Sequence, residues 1–329
     1  MYTKDNLTKL YMKDNAVFAD IFNYYVYSGR QVIKPDDLTE LDTAESAIIF
    51  EPPDSGTTHP GSTSVQKYRD ILKSVVIKCN EDTIYAVLGL ENQSDIHYAM
   101  PVKNLAYDAL QYVKQVQNTA SAHRADGTKL SHSEFLSGFS KKDRLTPVIT
   151  LVLYFGVDKW DGAKTIHEMM DVKDPELLRY VQDYRINLIE PYSIESDELD
   201  KFTTSLREVL GYIKYSNDKE KLLSFVTSSP NMVIDVNAAR VINVMTKTHI
   251  DIPEDAKEVN MCKAIEDLIN DSKAEGRLEG EAKGRLEGKA DAIRIFLNNS
   301  HDAMLVATSL GEPIEYVRKI AADNGISLS

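Results

Sequence analysis

The chain has 329 residues, of which 43% are hydrophobic and 27% are charged, as in a folded globular protein. Its formal net charge of −13 argues against a protein that coats nucleic acid, and its two cysteines exclude a disulfide framework. The longest apolar run, residues 148–155, is far shorter than a membrane span, and residues 1–5 lack the apolar core of a signal peptide. We therefore expect a cytoplasmic protein with no membrane partner.

The first predicted element is a helix from Asp14 to Tyr25, with apolar residues on one face. Asp14 is a good capping residue for its start, and Gly29 marks its end. Asp20 lies on this helix, where it is either a capping or solvated carboxylate, which we favour, or an extra acid for an active site. Residues 51–64 are rich in proline, glycine, serine and threonine, which predicts a surface loop.

Two apolar runs, Ile71–Ile77 and Ile84–Leu90, predict the arms of a β-hairpin whose turn lies at residues 80–82. Asp70 precedes the first arm and Glu91 follows the second, so a hairpin of this length can bring the two carboxylates together. Two hard oxygen ligands with open positions for water and phosphate suit phosphodiester cleavage assisted by Mg²⁺. The pair is a candidate nuclease centre, and two separately solvated carboxylates are the alternative.

A polar connection, residues 94–99, follows the hairpin and leads to Pro101, a residue favoured in the first turn of a helix. Apolar residues then recur at helical spacing over about three turns. This order of strand, acidic tip, loop and helix is typical of a site at the carboxyl end of a sheet. The apolar positions are Leu105, Ala109, Tyr112, Val113 and Val116.

The hairpin, the connection and the helix just described, together with several later segments, resemble the Rpn family of recombination-promoting nucleases. These nucleases belong to the PD-(D/E)XK superfamily and are often described as transposases. The resemblance implies an α/β fold with a restriction-endonuclease-like core, in which helices flank a central mixed sheet, and a helical carboxy-terminal extension. It also implies a metal-dependent DNA endonuclease linked to recombination or mobile elements. The matching strings are 68–70, 90–94, 100–103 with Tyr107, 147–156, 160–162, 166–169 and 186–189.

In the resemblance, Asp70 and Glu91 match the two acids that hold Mg²⁺ or Mn²⁺, and the backbone carbonyl of Asn92 completes the coordination. Gln93 stands where the family pattern usually has lysine, and Arg69 stands where the pattern has proline. A glutamine can orient the attacking water, but it carries no charge to offset the developing charge on phosphate.

The missing positive charge has three candidate sources, namely Lys73, Lys78 and Lys103, which the sequence alone does not distinguish. His97 and Tyr107 are further candidates for contact with the substrate. For His97 the alternative is an ordinary surface histidine, and for Tyr107 it is a half-buried tyrosine. Residues 61–120 carry six basic and six acidic side chains, so the candidate site lies in one of the less acidic parts of the chain.

Beyond the candidate site the sequence predicts helices. We expect a nuclease-like domain at 1–191, a helical accessory region at 192–270, and a Glu/Gly-rich helix with a small helical module at 271–329. Glycines at 276, 280, 284 and 288 form a stripe on a charged helix, which indicates self-association through residues 272–290 or a partly frayed helix. The end of the chain resembles a helix-turn-helix, although with few basic residues.

Three functions follow from the sequence, in order of preference. The first is a metal-dependent DNA endonuclease, and the second is a catalytically weak or inactive protein that binds DNA or a partner on a nuclease scaffold. The third is an assembly protein whose oligomerisation depends on the glycine stripe.

Overall fold

The structure is a computed structural model that describes residues 4–42, 44–48, 64–68, 70–79, 82–228, 232–248, 250–253 and 255–328. The chain forms two compact units, residues 1–262 and residues 263–329. The predicted loop at 51–64 lies outside the described residues apart from Ser64, as does most of the predicted turn at 80–82. The predicted division at residues 191 and 270 stays a prediction.

The first unit is an α/β structure around a five-stranded mixed sheet with the strand order β1-β4-β5-β6-β7. The β1–β4 and β4–β5 pairs are antiparallel, whereas β5–β6 and β6–β7 are parallel. Two small antiparallel pairs, β2–β3 and β8–β9, stand apart from this sheet. The strands are β1 (Leu38–Glu40), β2 (Ala44–Ile48), β3 (Ser64–Tyr68), β4 (Ile71–Cys79), β5 (Asp82–Gln93), β6 (Val148–Tyr154), β7 (Asn187–Ile189), β8 (Val233–Asp235) and β9 (Glu258–Asn260).

Eleven helices are formed by the described residues, and every one of them is too short or too polar to cross a lipid bilayer. They are α1 (Lys4–Lys13), α2 (Asn15–Tyr27), α3 (Met100–Ala125), α4 (His132–Ser137), α5 (Pro175–Leu178), α6 (Leu206–Tyr215), α7 (Lys219–Thr227), α8 (Val236–Thr246), α9 (Met261–Ser300), α10 (Ala303–Leu310) and α11 (Ile314–Asp323).

The predicted first helix is confirmed as α2. The Asp14 carboxylate accepts hydrogen bonds from the backbone N–H groups of Ala16 and Val17, so it satisfies donors that the first turn would otherwise leave unpaired. Phe18 and Phe22 are fully buried one helical turn apart, and their ring centroids lie 4.9 Å apart. The helix ends at Ser28 and Gly29, which both have positive φ.

The predicted hairpin is confirmed as β4 and β5, and both its arms extend beyond the apolar runs. The strand β5 lies between β4 and β6, so residues 87–90 are paired on both edges, whereas residues 91–93 are paired with β6 alone. The strand predicted at 147–156 is confirmed as β6. The carboxyl ends of the parallel strands β5 and β6 therefore meet at one edge of the sheet.

The helix predicted after Pro101 is confirmed as α3, but its inward face differs from the predicted apolar face. Leu105 and Ala109 are exposed, whereas Asn104, Asp108 and Gln111 are buried. The helix thus turns a row of polar side chains, spaced at three or four residues, toward the protein interior.

The second unit has its own small core. Ile293 and Leu297 of α9 pack with Val306 of α10 and Val317 of α11, and all four side chains are buried. Gly311, with φ +65°, ends α10 before the turn into α11, which gives the helix-turn-helix order seen in the sequence. The four glycines predicted to form a stripe are all in α9, and an added Cβ at any of them would meet no atom within 4 Å.

Candidate active site

The hairpin register sets Asp70 across from Glu91. Ile71 pairs with Leu90, and Asp70 and Glu91 are the next residues outward on the two arms. The Asp70 carboxylate accepts a hydrogen bond of 2.9 Å from the backbone N–H of Asn92, which fixes it at the end of β5. The two carboxylate residues therefore share one end of the hairpin, at the carboxyl end of the central strand.

Glu91 is paired with a lysine from α3. Its side chain is 1% exposed, and its Oε2 lies 2.7 Å from the Nζ of Lys103, which is 25% exposed. The Lys103 ammonium also lies 5.7 Å from the centroid of the buried Tyr107 ring, one helical turn further along. A buried carboxylate is costly unless it is paired, so this lysine stabilises the charged form of Glu91.

The helix that carries Lys103 is held to the sheet by polar contacts. The Asp108 carboxylate accepts 2.6 Å hydrogen bonds from the Thr150 hydroxyl on β6 and from the Tyr184 hydroxyl. The backbone carbonyl of Thr150 in turn accepts a bond of 2.9 Å from the Asn187 amide. Short bonds to a carboxylate acceptor are the stronger kind, so they hold α3 against β6, the strand next to β5.

Two buried amides that adjoin Glu91 and Lys103 in the sequence are unusual. Asn92 is 5% exposed and Asn104 is 0% exposed, and neither side-chain amide has a hydrogen-bond partner among the described residues. An unpaired buried amide costs about 1–3 kcal/mol, so each marks a place where a polar ligand or water would be stabilising. Asn104 neighbours Lys103 on α3, whereas the side chain of Asn92 follows Glu91 on β5 and faces the opposite side of the sheet. Sequence reasoning did not single out Asn104. The polar spacing of Asn104, Asp108 and Gln111 was the signal that could have found it.

The remaining predicted residues lie in different places. The Gln93 amide donates a 2.9 Å hydrogen bond to the backbone carbonyl of Asn92, the same carbonyl predicted as a metal ligand. His97 is exposed in the loop before α3, where its backbone carbonyl accepts from the Met100 N–H. Gln93 thus stays beside the two carboxylates, whereas the structure gives His97 no contact with them.

Lys73 is not brought to this group. It pairs with Leu88, three positions from Glu91, and therefore faces the opposite side of the sheet. Its ammonium donates to the Lys13 carbonyl at 2.7 Å and to the Asn15 amide oxygen at 2.6 Å, and burial lowers the pKa of Lys73. Of the three lysines considered, Lys103 is the one found at Glu91, and the Lys78 side chain lies outside the described part of the chain.

Asp20 also belongs to a different part of the molecule. Its carboxylate is 1% exposed and accepts hydrogen bonds from the backbone N–H and the hydroxyl of both Thr203 and Thr204. It joins α2 to the segment before α6, which agrees with a capping role and not with an extra active-site acid.

The donor set suits a hard divalent cation. Among the described residues no group of three or more His, Cys, Asp and Glu side chains could hold a metal ion, so a protein-made zinc or calcium cage is absent there. Mg²⁺ usually binds through one or two carboxylates and keeps its other positions for water and phosphate oxygens. Asp70 and Glu91, at one end of the hairpin, fit that requirement.

Comparison with known protein families gives a match. The model of a family described as "Putative transposase, YhgA-like" matches residues 63–240, which include the whole hairpin, α3 and the parallel strands. No curated protein and no solved structure gave a match to the chain.

Proposed function

The chain belongs to the YhgA-like putative transposase family, and on this premise we propose that it is a metal-dependent DNA endonuclease with a PD-(D/E)XK core. The observation that carries the proposal is the pairing of buried Glu91 with Lys103 opposite Asp70, at the carboxyl end of the central strand. A basic group next to two carboxylates is the charge arrangement that phosphodiester hydrolysis requires.

Asp70 and Glu91 would hold Mg²⁺ or Mn²⁺, with the backbone carbonyl of Asn92 as a further ligand. The bound ion would supply an acidified water and would offset the charge of the phosphate. The hydrogen bond from Asn92 N–H keeps the Asp70 carboxylate directed at the end of β5. The Gln93 amide holds the Asn92 carbonyl and is placed to orient a water molecule.

Lys103 would provide the positive charge that Gln93 lacks. Its side chain is a quarter exposed and its ammonium lies 5.7 Å from the Tyr107 ring centroid, so a small rotation would bring the ammonium to a phosphate oxygen at the mouth of the site. The even balance of charge in residues 61–120 permits weak DNA binding, which should fall steeply with salt.

A second function is supported by the same ion pair. The Lys103 ammonium occupies one oxygen of Glu91 at 2.7 Å and competes there with any divalent cation. If this pairing persists, the protein binds DNA or a protein partner on a nuclease scaffold without cutting. Metal-independent DNA binding without cleavage by the wild type would support this second function.

We also propose that the protein self-associates through residues 272–290. These residues lie in α9, where Leu278 and Leu286 are more than half exposed and the glycines leave room for a second backbone. Truncation after Asp271 should then lower the number of chains per particle, measured by light scattering, without changing DNA cleavage. An unchanged oligomeric state would contradict this part of the proposal.

The nuclease is tested with supercoiled and linear DNA, in Mg²⁺, in Mn²⁺ and in chelator. We expect metal-dependent cutting by the wild type and a loss of at least 100-fold in the Asp70→Asn variant. Asp126→Asn, which neutralises an exposed acid at the end of α3, is the matched control and should cut normally. Full activity of Asp70→Asn, or no cutting by folded wild type under any of these conditions, would overturn the proposal.

A further inference from the structure

The first unit contains a cleft of about 640 Å³ whose lining includes none of the candidate active-site residues. Its walls come from the end of α1, the first turn of α2, the segment leading into α6, and β8 with the start of α8. We call it the β8 cleft. Its volume is large enough for several residues of an extended peptide, and its lining is mostly polar.

The edge of β8 forms one wall of this cleft. Four consecutive residues, 232–235, line it, although side chains of successive strand residues point to opposite faces. The strand therefore presents its backbone edge to the cleft. The neighbouring strand β9 lies on the other edge, and no other described strand pairs with β8.

The hydrogen-bond register shows which backbone groups face away from β9. The backbone carbonyl of Met232 accepts a hydrogen bond of 2.8 Å from the Met261 N–H, and the backbone N–H of Val236 donates one of 3.1 Å to the Lys257 carbonyl. Because bonded and non-bonded pairs alternate in an antiparallel ladder, the N–H and C=O of Val233 point away from β9. The Val233 side chain is 47% exposed, so an extended chain has access to this position.

The charge of the cleft selects the kind of chain that fits. Asp14, Glu208 and Asp235 contribute three carboxylates to the lining, against the single guanidinium of Arg207. That guanidinium is bonded to Glu208 at 3.1 Å and to Asp200 at 2.9 Å, so these three side chains together carry one negative charge, to which Asp14 and Asp235 add two more. A nucleic acid would be repelled, whereas lysine or arginine side chains would be attracted.

Hydrogen bonds join the wall opposite β8 to the last residue of β8 itself. The Tyr11 hydroxyl lies 2.9 Å from the Ser205 hydroxyl, which donates at 2.7 Å to the Asp235 carboxylate. Tyr11 is 2% exposed, and burial raises its pKa, so it stays a neutral phenol. A preformed wall lowers the ordering cost of binding.

We propose that the β8 cleft binds an extended basic segment of a partner protein, which adds as a strand to the free edge of β8. Backbone hydrogen bonds to Val233 would hold the segment, and the carboxylates of Asp14 and Glu208 would select lysine or arginine at alternate positions. The proposal does not depend on nuclease activity, because the cleft shares no lining residue with Asp70 and Glu91.

The test uses full-length protein and a fluorescent acetylated heptapeptide of alternating lysine and valine, with binding followed by anisotropy in 150 mM salt. We expect binding in the micromolar range, and at least tenfold weaker binding of the matching glutamate–valine peptide. The same lysine peptide with alternate backbone nitrogens methylated should also bind at least tenfold more weakly, because it cannot pair with a strand edge.

The site is located with the double variant Asp14→Asn and Glu208→Gln, since asparagine still caps a helix and the fold is retained. We expect it to lose at least tenfold in affinity, while Asp126→Asn binds as wild type. Equal binding of the methylated peptide, unchanged binding by the double variant, or no binding of the lysine peptide at millimolar concentration would each overturn the proposal. Displacement of the peptide by a short DNA duplex at 150 mM salt would also overturn it.

Discussion

Because Glu91 is more deeply buried than Lys103, we predict that removing the lysine charge destabilises the protein more than removing the glutamate charge. In Lys103→Met the stem is kept but the ammonium is lost, so a carboxylate that is 1% exposed remains without its cation. Removing one partner of a buried pair costs about 3–5 kcal/mol. Because Lys103 itself is 25% exposed, water can enter the space that its ammonium leaves. We therefore expect the free energy of unfolding to fall by about 3 kcal/mol, at the lower end of that range.

In Glu91→Gln the Lys103 ammonium that remains can turn toward solvent, so the free energy of unfolding is expected to fall by only about 1 kcal/mol. The difference of about 2 kcal/mol between the two variants is the quantity to measure. Urea unfolding followed by circular dichroism gives both free energies of unfolding, provided that the slope with urea is unchanged. Lys114→Met, at an exposed position of the same helix, is the control and should stay within about 0.5 kcal/mol of wild type.

Mg²⁺ gives an independent check on the same pair. A divalent cation that replaces the lost ammonium should stabilise Lys103→Met more than wild type, since binding to the folded state alone raises its stability. Equal losses in Lys103→Met and Glu91→Gln would refute the reasoning. A Lys103→Met variant as stable as Lys114→Met would refute it as well.

Two other predictions concern stability away from the site. Asp20→Asn should lower the free energy of unfolding by about 2–3 kcal/mol, because one amide oxygen cannot replace a carboxylate bonded to Thr203 and Thr204; a urea-measured loss below about 0.5 kcal/mol would contradict this. In the monomer, at a protein concentration too low for self-association, Gly284→Ala should raise helix stability by about 0.5–1 kcal/mol, whereas Gly211→Ala, whose Cβ would lie 2.2 Å from the Phe225 ring, should lower stability by about 1–3 kcal/mol. Thermal unfolding of both variants gives the two signs, and equal signs would contradict the prediction.

The parts of the fold that follow from local chemistry were predictable from the sequence. The cap at Asp14 predicted the start of α2, and the two apolar runs around residues 80–82 predicted the hairpin. The register of that hairpin follows from its symmetry about the turn, which is why the amino-acid sequence alone matches Asp70 with Glu91.

The environment of the site was harder to predict because α3 buries polar side chains. A search for apolar periodicity selects Leu105 and Ala109, which are exposed. It overlooks the buried Asn104 and also Asp108, whose partner Thr150 lies on the distant strand β6. Lys73 illustrates a different error. Its position three residues from Asp70 already places the two on opposite faces of a strand, and the alternation rule alone would have removed it from the site.

The most direct measurement is the initial rate of plasmid nicking in Mg²⁺ by wild type beside Glu91→Gln, with both proteins shown to be folded. We predict cutting by the wild type that stops when the metal is chelated, and a rate for Glu91→Gln lower by at least 100-fold. Equal rates for the two proteins would contradict the assignment of Glu91 and Asp70 as the catalytic centre.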